Sequence, residues 1–418
     1  MKKISILLLV LISSLCLGCK EKEIEKVNLE HNIFIATDLH LYSNNLVSPE
    51  NQKYTKNIFT SDGRIQEYDY ELVEALINEV NKEKPRLLLL TGDLSYNGEK
   101  DSHLELVKLL SQINEETKVL VIPGNHDCYS VNTFTCINDE IKLSTSITYD
   151  EFKDIYKNFG YSGAYSYDET SLSYIYEIDS KNWVLMLDTN MSEFNIENER
   201  NITMGMLDNK TLNWIEENLA YAKENNINVI SATHHNLAVH NVMFEASYTL
   251  DNAEKLLELY NKYGVRFNFS GHLHIQSMKE VNGVIDIVTT SLLAYGNYYG
   301  SFSIYENCYE YEAIKLVDEN LDKISFDNFY MKYYEKNIAT ISKLFDSKGE
   351  EMTDFISKVN CYYFDGNYEM INKLKKQNRS LCKSLEKSYP RYENSYLKSI
   401  LEVENKNQQY LLVEKKAD

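Results

Sequence analysis

The chain has 418 residues, of which 43% are hydrophobic and 25% charged, with only four prolines; this excludes a disordered or fibrous protein and predicts two domains, or one large domain with an appendage. The only long apolar run free of charges is at the N-terminus, so a polytopic membrane protein is excluded as well. Its 43 basic against 63 acidic residues give a net charge of −20, the wrong sign for gripping a phosphate backbone; long nucleic acid is disfavoured, whereas a small phosphorylated ligand held through metal is not.

At the N-terminus, Lys2 and Lys3 precede the apolar stretch Ile4–Ile12, then Ser13-Ser14-Leu15-Cys16-Leu17-Gly18-Cys19. A charged start, a short apolar segment and a small residue before the cut predict a secretory signal over residues 1–18. The ending Leu17-Gly18-Cys19 resembles a bacterial lipobox, although Cys16 stands where such boxes prefer an apolar residue. The resemblance implies that Cys19 is lipidated and that the protein is exported and anchored to the outer face of a bacterial cell membrane, with residues 19–30 as a polar tether. Five cysteines remain beyond Cys19, an odd number that forbids a full disulfide framework. Cys128 and Cys136 either bridge, as an exported location permits, or stay free thiols.

From His31 to about Val317 the pattern is strand, polar turn, helix, repeated. Ile33–Ala36, Arg86–Leu90, Lys118–Ile122, Trp183–Leu187, Val229–Ala232 and Val265–Phe269 read as strands. Between them Leu72, Leu76, Ile77 and Val80, then Leu106, Val107, Leu110 and Ile113, recur at helical spacing, as do Leu212, Ile215 and Leu219, and Leu256, Leu257 and Tyr260. Tyr165–Ile178 against Trp183–Leu187 predicts a hairpin turning at Ser180-Lys181-Asn182. Alternating strands and helices predict α/β layering over residues 31–318, with chemistry in the loops at strand ends. Beyond it, Phe326, Phe329, Tyr330 and Tyr333, then Met352, Phe355, Ile356 and Val359, have helical spacing. Residues 319–418 therefore read as a smaller, mainly α-helical domain without chemistry of its own.

Six of the nine histidines lie at strand ends beside glycine, carboxylate or another histidine. The blocks are Thr37-Asp38-Leu39-His40, Thr91-Gly92-Asp93, Pro123-Gly124-Asn125-His126-Asp127, Thr233-His234-His235 and Ser270-Gly271-His272-Leu273-His274. Residues two apart in extended chain share a side, so Asp38 with His40, and His272 with His274, can each converge on one locus. Glycine ahead of Asp93, Asn125 and His272 allows tight turning and close backbone approach. Carboxylate, imidazole and amide oxygen suit borderline divalent metals such as Mn, Fe or Zn. Seven such ligands exceed the need of one ion and suit two, a clamp fitted to phosphoryl hydrolysis.

This ordered set resembles the calcineurin-like metallophosphoesterases, with all five blocks present in order over about 240 residues. The segment Gly92–Glu99, with Leu187-Asp188-Thr189, Gly205 and Trp214 further on, looks like the cyclic-nucleotide phosphodiesterase branch, whose exported lipoprotein members carry a C-terminal helical domain. The resemblance implies a four-layer α/β/β/α sandwich. It also implies that Asp38, His40 and His274 hold a first metal and Asn125, His234 and His272 a second, with Asp93 bridging. A hydroxide bridging the two ions would attack phosphorus in line; His126 would stabilise the transition state or protonate the leaving oxygen, and Asp127 would orient His126. The departure is Asn236 after His235, where many members have proline; of the two histidines, His234 directly follows the strand.

The substrate expected is a 3′,5′-cyclic nucleotide. The alternatives are an extracellular phosphomonoesterase or an esterase for nucleotide- or lipid-linked phosphate, and, more remotely, a non-catalytic metal-binding scaffold. Outside the blocks, His31 and His240 read as surface residues, and His103 as a pocket residue or a helix-surface one. Tyr295, Asn297, Tyr298 and Tyr299 either stack on a nucleobase or serve as packing.

Overall fold

A computed structural model describes residues 24–48, 63–138, 140–321 and 324–415. The expected signal segment and Cys19 lie outside the described residues. None of the described helices is long and apolar enough to cross a membrane.

Two sheets face one another. The first has the order β15-β14-β13-β1-β2-β3, built from β1 (Leu29–Ala36), β2 (Leu87–Thr91), β3 (Lys118–Ile122), β13 (Tyr298–Tyr305), β14 (Cys308–Lys315) and β15 (Tyr410–Glu414). The second has the order β11-β12-β10-β9-β8-β7-β6. It comprises β6 (Ser166–Tyr167), β7 (Tyr174–Asp179), β8 (Asn182–Leu187), β9 (Asn228–Thr233), β10 (Phe267–Ser270), β11 (Ser277–Val281) and β12 (Val284–Val288). A small hairpin of β4 (Phe134–Ile137) and β5 (Glu140–Leu143) stands apart. One core joins the inner faces: Phe34, Leu89 and Phe302 from the first sheet are buried with Val184, Ile230 and Phe269 from the second. β2 is Leu-Leu-Leu-Leu-Thr and wholly buried, as a strand covered on both faces should be.

The outer layers are amphipathic helices. α1 (Asp69–Glu83) and α2 (Lys100–Leu110) bury the predicted stripes Leu72, Leu76, Ile77 and Val80, and Leu106 and Leu110. α3 (Tyr149–Ile155) starts at a capping box made by Thr148 and Glu151. On the other side, after the short α4 (Asn195–Asn198), come α5 (Asn209–Glu224), the short α6 (Glu245–Tyr248) and α7 (Ala253–Tyr263). α5 and α7 bury Leu212, Ile215 and Leu219 and Leu256, Leu257 and Tyr260 against the second sheet. The result is the four-layer α/β/β/α sandwich. The predicted hairpin is present as β7–β8, with Asp179 paired to Asn182 at its turn.

The helical region holds α8 (Phe326–Leu344), α9 (Gly349–Phe364), α10 (Tyr368–Gln377), α11 (Arg379–Ser388) and α12 (Tyr396–Leu401). It is not an independent appendage. Its buried Ile341, Met352, Phe355, Ile356 and Val359 share one core with Leu273, Ile275 and Val288 from the ends of the second sheet. The segment 319–418 is also not wholly helical, because β15 returns to pair antiparallel with β14, Tyr311 opposite Leu411. The short apolar run Tyr-Leu-Leu-Val-Glu carried too little signal beside the long helical stripes.

Cys128 and Cys136 are both buried free thiols. Of the two histidines read as surface residues, neither is fully exposed. His31 is half-buried and pairs with Asp179 at 2.6 Å. The His240 side chain is enclosed between Ser277 Oγ, 2.8 Å, and Asp286 Oδ2, 3.2 Å.

Candidate metal centre

The chain runs parallel from β1 to β2 to β3 and from β9 to β10. The carboxyl ends of these strands therefore open toward one crevice, where ligands of open α/β sheets bind. Each end delivers one predicted block: Asp38 and His40 after β1, Asp93 after β2, Asn125 and His126 after β3, His234 after β9, His272 and His274 after β10. Five of these side chains are carried on left-handed backbone: Asp38 (φ +51°), His40 (+42°), Asp93 (+49°), His272 (+66°) and His274 (+60°). Asp and His tolerate that region better than most residues, yet each such position costs roughly 1–3 kcal/mol and persists only where its surroundings enforce it.

The enforcing contacts are specific. Asp38 N donates to Gly92 O (3.0 Å) and His40 N to Asp93 O (2.9 Å), so the first two loops are laced together. His272 N donates to Asp38 Oδ2 (3.0 Å), and Ser291 Oγ to Asp38 O (2.7 Å). His126 N donates to Asp93 Oδ1 (2.9 Å). Glycine is required at two points of closest approach. A Cβ on Gly271 would sit 1.9 Å from Thr37 Oγ1, and one on Gly124 would sit 2.2 Å from Asp93 N.

Two groups of ligand atoms result. Asp38, His40, Asp93 and His274 can each offer one atom, all within 4.8 Å of one another, and so can Asp93, His234 and His272. Asp93 belongs to both. His40 Nε2 and His274 Nε2 are 3.2 Å apart, and His274 Nε2 is 3.3 Å from Asp38 Oδ1. In the second group His234 Nε2 lies 3.4 Å from Asp93 Oδ1 and 3.1 Å from Asn125 Oδ1.

Ring tautomers are set from behind. His234 Nδ1 faces Thr91 O at 2.9 Å, and His272 Nε2 faces the carbonyls of Thr203 (3.1 Å) and Ser247 (2.9 Å). A nitrogen facing a carbonyl must carry the proton, which leaves the other nitrogen of each ring as a lone-pair donor, the usual second-sphere arrangement of metal-binding histidine. His235 is committed elsewhere, with Nδ1 on Thr189 Oγ1 (2.8 Å) and Nε2 on Thr203 O (3.1 Å); His234 is the member of the pair that meets Asp93.

The electrostatics ask for cations. Burial opposes ionisation of Asp93, but the rings of His234 and His126 hold its carboxyl well below the usual range. Asp38 is also burial-penalised and is pulled down by His274. Burial likewise disfavours charge on His234, yet Asp93 raises it to about 9. Burial drives His272 down to about 3 and His40 well below its ordinary value. Buried ionised carboxylates beside the neutral imidazoles of His40 and His272, with an amide oxygen at the edge, fit two borderline divalent ions.

The pair expected to be catalytic is arranged differently from expectation. Asp127 does not orient His126. Its carboxylate accepts Leu94 N (3.1 Å), Ser95 N (2.8 Å), Ser95 Oγ (2.8 Å) and Gly124 N (2.8 Å), so it clamps the second loop to the third. Directly following His126 in the chain, it points back into the fold while His126 points out. The His126 ring is held instead at Nδ1 by Tyr96 O and Asn97 Oδ1, both 2.8 Å away. Its ring lies 5.0 Å from that of His40, edge-on.

Asn97 is thus a site residue that motif reading missed, although it stands four residues after Asp93. Beneath it is Glu99, whose carboxyl burial pushes to about 8; one of its oxygens accepts Asn97 N at 2.9 Å. His103, expected in the pocket or on the helix surface, is in neither place. It is fully buried, with Nδ1 2.9 Å from Tyr156 Oη and Nε2 3.0 Å from Asp127 O.

The tyrosine segment after His274 serves as packing. Tyr299 lies 4.5 Å from Phe34, Tyr295 sits among Phe326 and Phe329, and Tyr298 Oη accepts from Gln409. Asn297 donates to Leu292 O. The aromatic ring that does lie against the centre is Tyr248, 4.5 Å from the ring of His272.

The family model for calcineurin-like phosphoesterases matches residues 31–276, which contain every one of these blocks. Among solved structures, a dimetal phosphatase from Danio rerio is similar over 70% of this chain and 98% of its own, with a TM-score of 0.50 and 10% identity. GAP50 of Plasmodium, the anchor in the inner membrane complex, is similar over 69% of this chain and 85% of its own, with a TM-score of 0.41 and 11% identity. No curated protein matches the sequence.

Proposed function

From the premise that this chain belongs to the calcineurin-like phosphoesterase family, and is a dimetal phosphoester hydrolase, we propose that it cleaves phosphodiesters, with 3′,5′-cyclic nucleotides as the substrate class. Asp38, His40, Asp93 and His274 would hold one divalent ion and Asp93, Asn125, His234 and His272 the other, as Mn, Fe or Zn. When bound, the ions supply positive charge that polarises a phosphoryl oxygen and eases deprotonation of water.

The observation behind the diester reading is the segment Gly92–Glu99, which resembles the cyclic-nucleotide branch and whose Asn97 fixes His126. Any phosphoester expels an alcohol oxygen that needs a proton. With Nδ1–H engaged by Tyr96 O and Asn97 Oδ1, His126 presents Nε2 to the leaving oxygen; in the doubly protonated ring Nε2–H stabilises the charge on that oxygen and passes it a proton, leaving the neutral ring with its proton on Nδ1. Asn97 lies in the same stretch, Gly92–Glu99, that resembles the cyclic-nucleotide branch. Asp127 acts at one remove, by holding the loops that carry Asp93 and His126.

We also propose that the protein is exported and tethered by a lipidated Cys19, which would place the site outside the cell. The test of function is hydrolysis of 3′,5′-cyclic AMP by the Mn²⁺-loaded protein. Formation of AMP, abolished by Asp93→Asn, is the expected result. Cleavage of p-nitrophenyl phosphate with no turnover of any diester would overturn it and favour a phosphomonoesterase.

A further inference from the structure

A cavity of about 450 Å³ lies between the candidate metal centre and the helical region. His272, Leu273 and His274 form its floor, and Phe244 and Tyr248, one helical turn apart, form a side wall. The opposite wall belongs to the helical region. α8 contributes Tyr333, Lys336, Asn337 and Ile341, whose spacing of three, four and eight residues places them on one helix face. α9 contributes Asn360 and Phe364, again four apart, and Tyr389, Tyr396 and Leu397 close the far end.

The wall is coupled to the centre through continuous contacts. Tyr396 Oη donates to Asn360 Oδ1 (2.7 Å), its ring is 5.6 Å from Phe244, Phe244 is 5.2 Å from Tyr248, and Tyr248 lies 4.5 Å from His272. Ser247, next to Tyr248, gives the carbonyl that faces His272 Nε2.

We propose that this cavity is the subsite for the nucleoside portion of the substrate, with Asn337 as a specificity-determining residue. The inference rests on the phosphodiesterase reading and adds the part of the molecule that chooses the substrate. Three observations point to a nucleoside. The cavity adjoins two candidate metal ligands, so the organic part of a phosphoester centred there finds room past His272 and His274. Its volume is that of a site for one compact small molecule. Aromatic faces line it, but Asn337, Asn360 and Lys336 interrupt them, whereas an acyl chain would need an unbroken apolar groove. Flat π-faces combined with amide groups suit a heteroaromatic ring that has a hydrogen-bonding edge. Asn360 is occupied by Tyr396 Oη and by its own bond to Ile356 O; Asn337 is the amide assigned to the base edge.

The test compares two diesters with the same leaving group, thymidine 5′-(p-nitrophenyl) phosphate and methyl p-nitrophenyl phosphate, on the full Mn²⁺-loaded chain. Wild type is expected to prefer the nucleoside ester through KM. Asn337→Ala, and the near-isosteric Asn337→Asp, should each lower the ratio of kcat/KM values, nucleoside over methyl, by about tenfold. Tyr389→Ala should do the same. If wild type cleaves both esters equally, or the variants leave the ratio unchanged, the subsite is overturned while the phosphodiesterase reading stands. If wild type cleaves neither, that reading fails, and calorimetric titration with thymidine decides the cavity separately. Binding that weakens about tenfold in Asn337→Asp supports the subsite, and no binding by wild type overturns it.

Discussion

The strand-end loops and the helical region build one cleft by opposite means. The loops place their chemistry on strained backbone, with Asp38, His40, Asp93, His272 and His274 all left-handed, whereas within α8 to α12 and their connections only Gly366 and Arg391 have positive φ. Strain of that kind is tolerated where buried hydrogen bonds over-determine it, and it fixes ligand atoms closely. The helical wall instead presents ordinary helix faces, held by a shared apolar core with Leu273, Ile275 and Val288. One region has the geometry for chemistry, and the other has the shape for recognition. Substitutions should therefore damage rate in the first and selectivity or stability in the second.

The largest separation is expected at His126. His126→Ala should lower kcat by about 10²–10⁴-fold while the metal content per chain is retained; a variant that instead loses metal would make His126 a ligand and blur the division of labour. Next comes the strained frame itself. In Gly271→Ala the added carbon meets Thr37 Oγ1, which should cost roughly 1–3 kcal/mol in denaturant unfolding and weaken metal retention together. Loss of stability with metal affinity intact would show that the loop can relax without moving Asp38.

Effects in the helical region should be smaller. Tyr396→Phe removes the bond to Asn360 and should cost about 1 kcal/mol, read from a shift in the denaturation midpoint. A pH-selective effect concerns Asp365, at the seam where Gln409 bonds its carboxylate (3.0 Å) and Tyr298 Oη (3.2 Å). Burial raises the Asp365 carboxyl to about 6, above the ordinary value near 3.9. The native state therefore holds that proton more tightly than the unfolded chain, so stability is favoured below about pH 4 and declines as pH rises to about 6. Asp365→Asn should raise Tm by a few degrees at pH 7.5 and by almost nothing at pH 4; an equal shift at both would assign the change to hydrogen bonding alone.

The contrast also explains what could be read from the sequence. A ligand after each of five strands leaves local traces, such as Gly92-Asp93 or Gly271-His272-Leu273-His274, because glycine, carboxylate and histidine at a strand end are rarely there for packing alone. The strands β1, β2, β3, β9 and β10 announced themselves as apolar runs. The cavity wall leaves no such trace. Tyr333, Asn337 and Ile341 have the same spacing as any core-facing stripe, and only the fold shows that Tyr396 reaches Phe244. Asp127 yielded its expected role to Asn97 for a related reason: Asp127 and its neighbour His126 point in different directions out of one turn, and sequence order does not reveal which residue faces the histidine. β15 was lost because pairing with β14, rather than periodicity, makes it a strand.

The division of labour between the two regions requires that the laced loops hold two ions through one shared carboxylate. Elemental analysis of the protein reconstituted with Mn²⁺ and gel-filtered, beside Asp93→Asn, tests this most directly. Two ions per wild-type chain, falling to one or fewer in the variant, is the result predicted. Fewer than one ion per wild-type chain, or two ions retained in Asp93→Asn, would contradict it.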